Sequence, residues 1–183
     1  MVEKGDPEVL NMVEITRWIW RTRLPLKVRI FLWMALQGRI LTKEYRAIWR
    51  STMSTTCELC RVAPESIDHL FCLCPVLLPL WRTLGAATGR SLVFSNRMEL
   101  WEQMRDFSGP TSARALAQVE NLVIPATLWA IWLGRNKLLF ARERFYVENI
   151  WDNVLFFISA WGCSLVGARR VRMVRGELQI EPG

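Results

Sequence analysis

Histidine is almost missing from these 183 residues, with His69 standing alone, and aspartate occurs at only four positions, 6, 68, 106 and 152. No two aspartates are adjacent, so the paired carboxylates that hold two metal ions in polymerases and nucleases have no source here. Chemistry built on two histidines starts at a disadvantage, and a non-catalytic role is expected. The opening residues, MVEKGDPEVLNMVE, are acidic and lack the apolar stretch of a secretory signal. The longest uncharged run, residues 153–168, is sixteen residues long. A spanning helix needs about 20 predominantly apolar residues, so this run is expected to form a buried helix rather than contact a membrane. No internal repeat or low-complexity tract stands out. An intracellular location, nuclear or cytoplasmic, follows as the expectation. In a reducing compartment the five cysteines favour metal binding over disulfides.

Apolar residues make up 51% of the chain, enough for a substantial core, and ten Trp and eight Phe give that core an aromatic character. The net charge is +7. Residues 14–50 hold nine cations (Arg17, Arg21, Arg23, Lys27, Arg29, Arg39, Lys43, Arg46 and Arg50) against Glu14 and Glu44, a surplus equal to the net charge of the whole chain. Arginine offers a planar fork that matches phosphate and stacks on aromatic faces. RNA or DNA is therefore the partner this segment suits, with Arg17, Arg21, Arg23, Lys27 and Arg29 as candidate phosphate contacts. Trp18 and Trp20 are read first as core residues, with base stacking as the alternative. A solvated helical face explains the same charges without any ligand. No small-molecule substrate is indicated.

Helical periodicity dominates. Ile15–Trp20, Leu26–Gln37 with Gly38 as its stop, and Lys43–Arg50 behind Thr42 as N-cap read as helices, the last turning Ile48 and Trp49 inward. Pro75–Leu84, Arg97–Phe107, Ala113–Phe140 broken near Pro125, and Val147–Leu165 follow, with Gly85–Ser95 as a turn-rich connector. Residues 169–180 have the alternating, β-branched character of a short C-terminal strand. The expected class is mainly α. Its expected parts are a disordered N-terminus (1–13), a small metal-stabilised domain (14–84), a connector with one helix (85–112), a Trp-rich helical region (113–168) and a basic tail (169–183). The Trp-rich helices offer a second partner surface, for another protein.

The chemistry sits between Cys57 and Cys74. Cys57-Glu-Leu-Cys60 is followed after eight residues by His69, and after four more by Cys74. A CxxC turn lets two thiolates reach one tetrahedral ion, and a His–Cys pair closes the other half. Three sulfurs and one imidazole fill the shell of a zinc ion and leave no open position, so the site is structural. Glu65 or Asp68 can orient the imidazole by accepting its second N–H. Cys72, two residues before Cys74, competes as a ligand but reads better as a small buried residue, as does Cys163. A redox CxxC, an interior histidine, and a cysteine hydrolase using Cys57 or Cys60 with His69 are the other readings of these residues. Arg135 and Asn136 read as polar contacts at a helix end, and Glu143 and Arg144 as solvated charges.

The wider pattern is Trp20…Pro25-Leu26-Lys27-Val28…Phe31-Leu32-Trp33…Gly38-Arg39…Thr42, then Cys57-x-x-Cys60, Glu65-Ser66, His69-Leu70-Phe71, Cys74-Pro75 and Trp81. It resembles the zinc-binding domain that follows reverse transcriptase in plant LINE-type retrotransposons. The string Leu128-Trp129-Ala130-Ile131-Trp132…Arg135-Asn136…Phe140 is similar to the tryptophan-rich segment that trails that domain. Leu41 stands where many relatives have proline. The resemblance implies one zinc held by Cys57, Cys60, His69 and Cys74, and a role in gripping element RNA or target DNA. It also implies descent from the carboxyl-terminal part of a retrotransposon polyprotein, with a relic that has no use as the alternative.

Overall fold

The structure is a computed structural model that describes residues 7–50, 54–107, 121–166, 170–174 and 177–181, with side chains for 12–50, 54–106 and 121–162. Among them the order is α1 (Pro7–Arg21), α2 (Leu26–Leu36), α3 (Lys43–Ala47), a π-turn (His69–Leu73), α4 (Leu78–Thr88), α5 (Arg97–Phe107), α6 (Val123–Asn136), a second π-turn (Lys137–Ala141) and α7 (Val147–Val166). An antiparallel pair of strands, β1 (Arg170–Val174) and β2 (Glu177–Glu181), completes it, with Arg170 opposite Glu181 and Val174 opposite Glu177. The fold is mainly helical, and the stretch expected as one short C-terminal strand, 169–180, holds both strands of this hairpin but for Glu181.

Helix α1 starts at Pro7, within the stretch expected to be disordered. Proline suits the first turn of a helix, and Met12 packs against the core, so residues 7–13 have reason to be ordered. Residues 1–6 lie outside the described residues. Ile15 and Ile19, four apart on α1, and Val28 and Leu32, four apart on α2, are all fully buried in the shared core. Trp33 Nε1 donates to Thr16 Oγ1 at 3.2 Å across the same pair of helices. Helix α2 ends where Gly38 takes φ +75°, the left-handed conformation that glycine reaches without strain. Thr42 caps α3, its hydroxyl accepting from Tyr45 N–H at 3.3 Å. Helix α3 is shorter than the periodicity suggests and stops at Ala47. Ile48 and Trp49 are 72% and 77% exposed, so neither turns inward.

Further boundaries are set by caps and proline. Helix α4 runs through Gly85 to Thr88 instead of stopping at Leu84, because Gly89 at φ +64° supplies its C-cap. Pro125 falls inside the first turn of α6, where its missing N–H costs nothing, so a helix begins beside it at Val123, near the expected break. The part of the predicted helix at 113–120 lies outside the described residues. Helix α5 spans the predicted residues and is capped by Asn96 Oδ1, which accepts from Met98 and Glu99 N–H at 2.9 and 3.1 Å.

The Trp-rich helices are not an appendage. One hydrophobic core runs from Ile15 through the cysteine region to Trp161. Phe31 of α2 stands at its centre, with ring centroids 6.2 Å from Phe71, 5.2 Å from Trp129 and 5.9 Å from Trp132. These offset and edge-on arrangements suit aromatic quadrupoles and bind the cysteine region to α6 through α2. Among the described residues no helix is long and apolar enough to cross a membrane.

Candidate metal centre

Two local structures deliver the four metal-type side chains. Residues 55–65 fold back on themselves, with Cys57 N–H donating to Ala63 O at 2.8 Å and Glu65 N–H to Thr55 O at 2.8 Å. Arg61 takes φ +56° at the turn, and Val62 N–H points at Cys60 Sγ at 3.5 Å. The second structure is the π-turn. In an α-helix, residues five apart are rotated about 140° from one another. The wider turn, closed by Cys74 N–H to His69 O at 2.7 Å, brings His69 and Cys74 back to one side.

One ligand atom from each of Cys57, Cys60, His69 and Cys74 lies within 4.8 Å of all the others. Cys60 Sγ and His69 Nε2 are 3.3 Å apart, so Nε2 is the ring nitrogen facing the cluster. A tetrahedral shell with Zn–S of about 2.3 Å sets sulfurs about 3.8 Å apart, so closure needs a contraction of at most about 1 Å. Cys57, His69 and Cys74 are buried and Cys60 is half-buried, which shields the centre from water. The Cys74 thiol hydrogen-bonds Cys57 and lowers the Cys57 pKa to about 5 against the opposing effect of burial. Cys74, holding the shared proton in the same buried cluster, is raised. A divalent cation replaces that proton and lets both sulfurs bind as thiolates. The donor set therefore fits one structural zinc.

Cys72 stands apart. It is 2% exposed, and burial with the nearby Asp68 and Glu99 carboxylates raises its pKa to about 12, so it stays a neutral thiol. Cys163 lies in α7, but its side chain is outside the described residues.

The carboxylates do not serve the histidine. Asp68 accepts from Arg97 N–H at 2.8 Å and from Arg97 Nη1 at 3.2 Å, joining the π-turn to the start of α5. Glu65 is fully buried and turns away toward Arg135, 1% exposed, whose Nε donates to Glu65 Oε2 at 3.3 Å while Nη2 donates to Oε1. Lys43 N–H also donates to Glu65 Oε1, at 2.9 Å. Arg135 lies 5.0 Å over the Trp132 ring and reaches Asn136 Oδ1 at 3.0 Å. Sequence reading treats Arg135 as a helix-end residue. It is instead the counter-charge of the metal loop, and the spacing of an ion pair that closes across seventy residues leaves no local signal. Trp81 has a comparable role: its indole N–H donates to Phe71 O at 2.7 Å inside the π-turn.

The basic candidates lie on α1, α2 and the loop joining them. Arg17, Arg21, Arg23 and Lys27 are exposed and Arg29 is half-buried. Arg29 lies 5.5 Å over Trp20 and its Nη1 donates to Trp20 O at 3.4 Å. Lys27 turns the other way, 5.8 Å over Trp129. Trp18 packs edge-on against Trp101 at 5.2 Å, whereas Trp20 is 43% exposed, so the expected core role does not hold for it. Glu143 and Arg144 are exposed, with Glu143 3.7 Å from Lys137.

A closed Cys₃His centre seated in a helical core defines a structural zinc-binding domain. Residues 4–81 match the family described as zinc-binding in reverse transcriptase, and it is to such a domain that this segment is similar. The match is to the zinc-binding domain and not to a catalytic one. Over 101 residues, 54% of the chain, the sequence is 28% identical to a protein of Arabidopsis thaliana provisionally named a ribonuclease H protein. The match spans 16% of that relative's length. No solved structure matches.

Proposed function

We propose that this chain is a non-catalytic, zinc-stapled nucleic-acid-binding module descended from a plant LINE-type retrotransposon polyprotein. One contrast carries the reading. Three cations that reach the metal loop or the π-turn are matched to carboxylates, Lys43 to Glu58, Arg97 to Asp68 and Arg135 to Glu65, while exposed Arg61 in the loop itself forms no ion pair among the described residues. Arg17, Arg21, Arg23 and Lys27 are exposed and form no ion pair among the described residues. Unmatched cations along the end of α1, the loop after it and the start of α2 suit a phosphate backbone, whose binding releases counterions. The full ligand shell of the metal centre offers no position for water or substrate, which supports a role without catalysis.

Filter binding of RNA and DNA across a salt series tests this. The affinity should fall linearly on a logarithmic salt scale, and Arg17→Ala or Arg21→Ala should each reduce the slope by about 1. Affinity indifferent to salt contradicts the reading. A protein partner is the second reading, favoured by an open apolar groove of about 280 Å³ between α4 and α7, lined by Pro79, Leu80, Val147 and Trp151 with Glu148 and Asp152 beside them. Trp151→Ala should leave nucleic-acid binding unchanged if the groove serves a separate partner.

A further inference from the structure

Ten tryptophans occur in the chain, and only Trp20 and Trp49 expose much of their surface. Trp49 follows the end of α3 without a neighbouring cation contact among the described residues. Trp20 differs. The Arg29 guanidinium lies against its ring at 5.5 Å and also bonds its carbonyl, so one cation fixes both the indole and the end of α1. On α1, Arg17 stands three residues before Trp20, one turn away on the helix surface, Arg21 is the next residue, and Arg23 follows in the loop. A braced aromatic ring beside free arginines is the combination by which proteins hold unpaired bases: the ring stacks on the base and the cations follow the backbone. Holding the indole in one orientation before binding reduces the entropy lost on binding. Duplex nucleic acid cannot use such a ring without unstacking its own bases, whereas an unpaired strand offers base faces freely.

We propose that Trp20, braced by Arg29, is a stacking platform for an unpaired base, so that the α1–α2 face takes single-stranded rather than duplex nucleic acid. The proposal rests on the nucleic-acid reading above and adds strand state to it.

The test uses the zinc-loaded full chain with labelled RNA and DNA single strands of mixed sequence and the matching duplexes, titrated at one salt concentration. Single strands of either sugar should bind more tightly than duplex. Trp20→Ala should weaken single-strand binding about 5- to 150-fold, the range for loss of one base–aromatic stack. Trp20→Phe should retain most of the affinity, and neither change should move duplex binding. Zinc content and far-UV circular dichroism of the variants report on folding. Arg17→Ala and Arg21→Ala should weaken both strand states alike. Equal affinity for single strand and duplex, or an equal loss on both with Trp20→Ala, overturns the stacking platform while the arginine effects keep the nucleic-acid reading alive. Absence of salt-dependent binding to any of these oligonucleotides overturns both.

Discussion

Glu65 and Arg135 are the most consequential pair of side chains outside the metal ligands. Both are out of contact with water, and each is the other's only charge-matching partner among the described ion pairs. Removing one member of a buried pair leaves an uncompensated charge, at a cost of about 3–5 kcal/mol. Arg135→Met should therefore lower the urea unfolding free energy by about that amount, and Glu65→Leu together with Arg135→Met should lower it by less than the sum of the two single changes. Additive losses would mean that the two groups do not act as a pair. Cys72 supplies the opposite kind of prediction. As a neutral buried thiol outside the cluster, it should be replaceable by Ala with zinc content unchanged, whereas Cys74→Ala should lose the metal. Metal analysis of the two purified variants checks this. At this scale the four clustered residues were legible because spacing is itself a chemical constraint. The orienting role assigned to Glu65 or Asp68 was not, because each carboxylate had a stronger cationic partner that sequence distance concealed.

Among the elements, the π-turn at His69–Leu73 does the work that an α-turn would do badly, and Trp81 holds it from α4. Trp81→Phe keeps most of the buried ring but leaves the Phe71 carbonyl without its donor, at a cost of about 1–3 kcal/mol in a denaturant titration. An unchanged midpoint would show that the carbonyl finds water instead. Gly85 is required for a different reason: a Cβ there would stand 2.6 Å from Arg90 O, a backbone atom with little room to retreat. Gly85→Ala should destabilise by about 1–3 kcal/mol, the usual cost of overpacking, although alanine is the better helix former. The same thermal or urea melt checks it, and a gain in stability would contradict the packing account. Helical periodicity located most elements, and Arg97–Phe107 emerged with its predicted bounds. It failed where an end depends on a cap: glycine in the left-handed region lengthened α4 beyond Leu84. It also overstated α3, whose last apolar residues reach solvent.

For the whole molecule, the division into a small zinc domain and a trailing Trp-rich region gives way to a shared core. Phe31 touches rings from both parts, and Arg135 of α6 neutralises a carboxylate on the metal loop. Such long-range closure is invisible to periodicity, which sees one element at a time. Metal loss should consequently loosen α6 and α7 as well as the loop. Zinc uptake should also compete with protons. Cys74 keeps its proton while Cys57 is already largely ionised near neutral pH, so binding expels a proton and the apparent affinity should fall as pH is lowered. Competition with a chelator of known affinity at several pH values reads this directly, and a pH-independent zinc affinity would contradict the thiolate assignment.

The most direct measurement is zinc stoichiometry by elemental analysis of the full chain, paired with far-UV circular dichroism before and after chelation and repeated on Cys57→Ser/Cys60→Ser. One zinc per chain should be found, absent from the double variant, and helical signal should be lost with the metal beyond what the metal loop alone accounts for. An equal metal content in the double variant, or a helical body indifferent to chelation, would contradict a centre in which those four side chains close on one ion and hold the fold together.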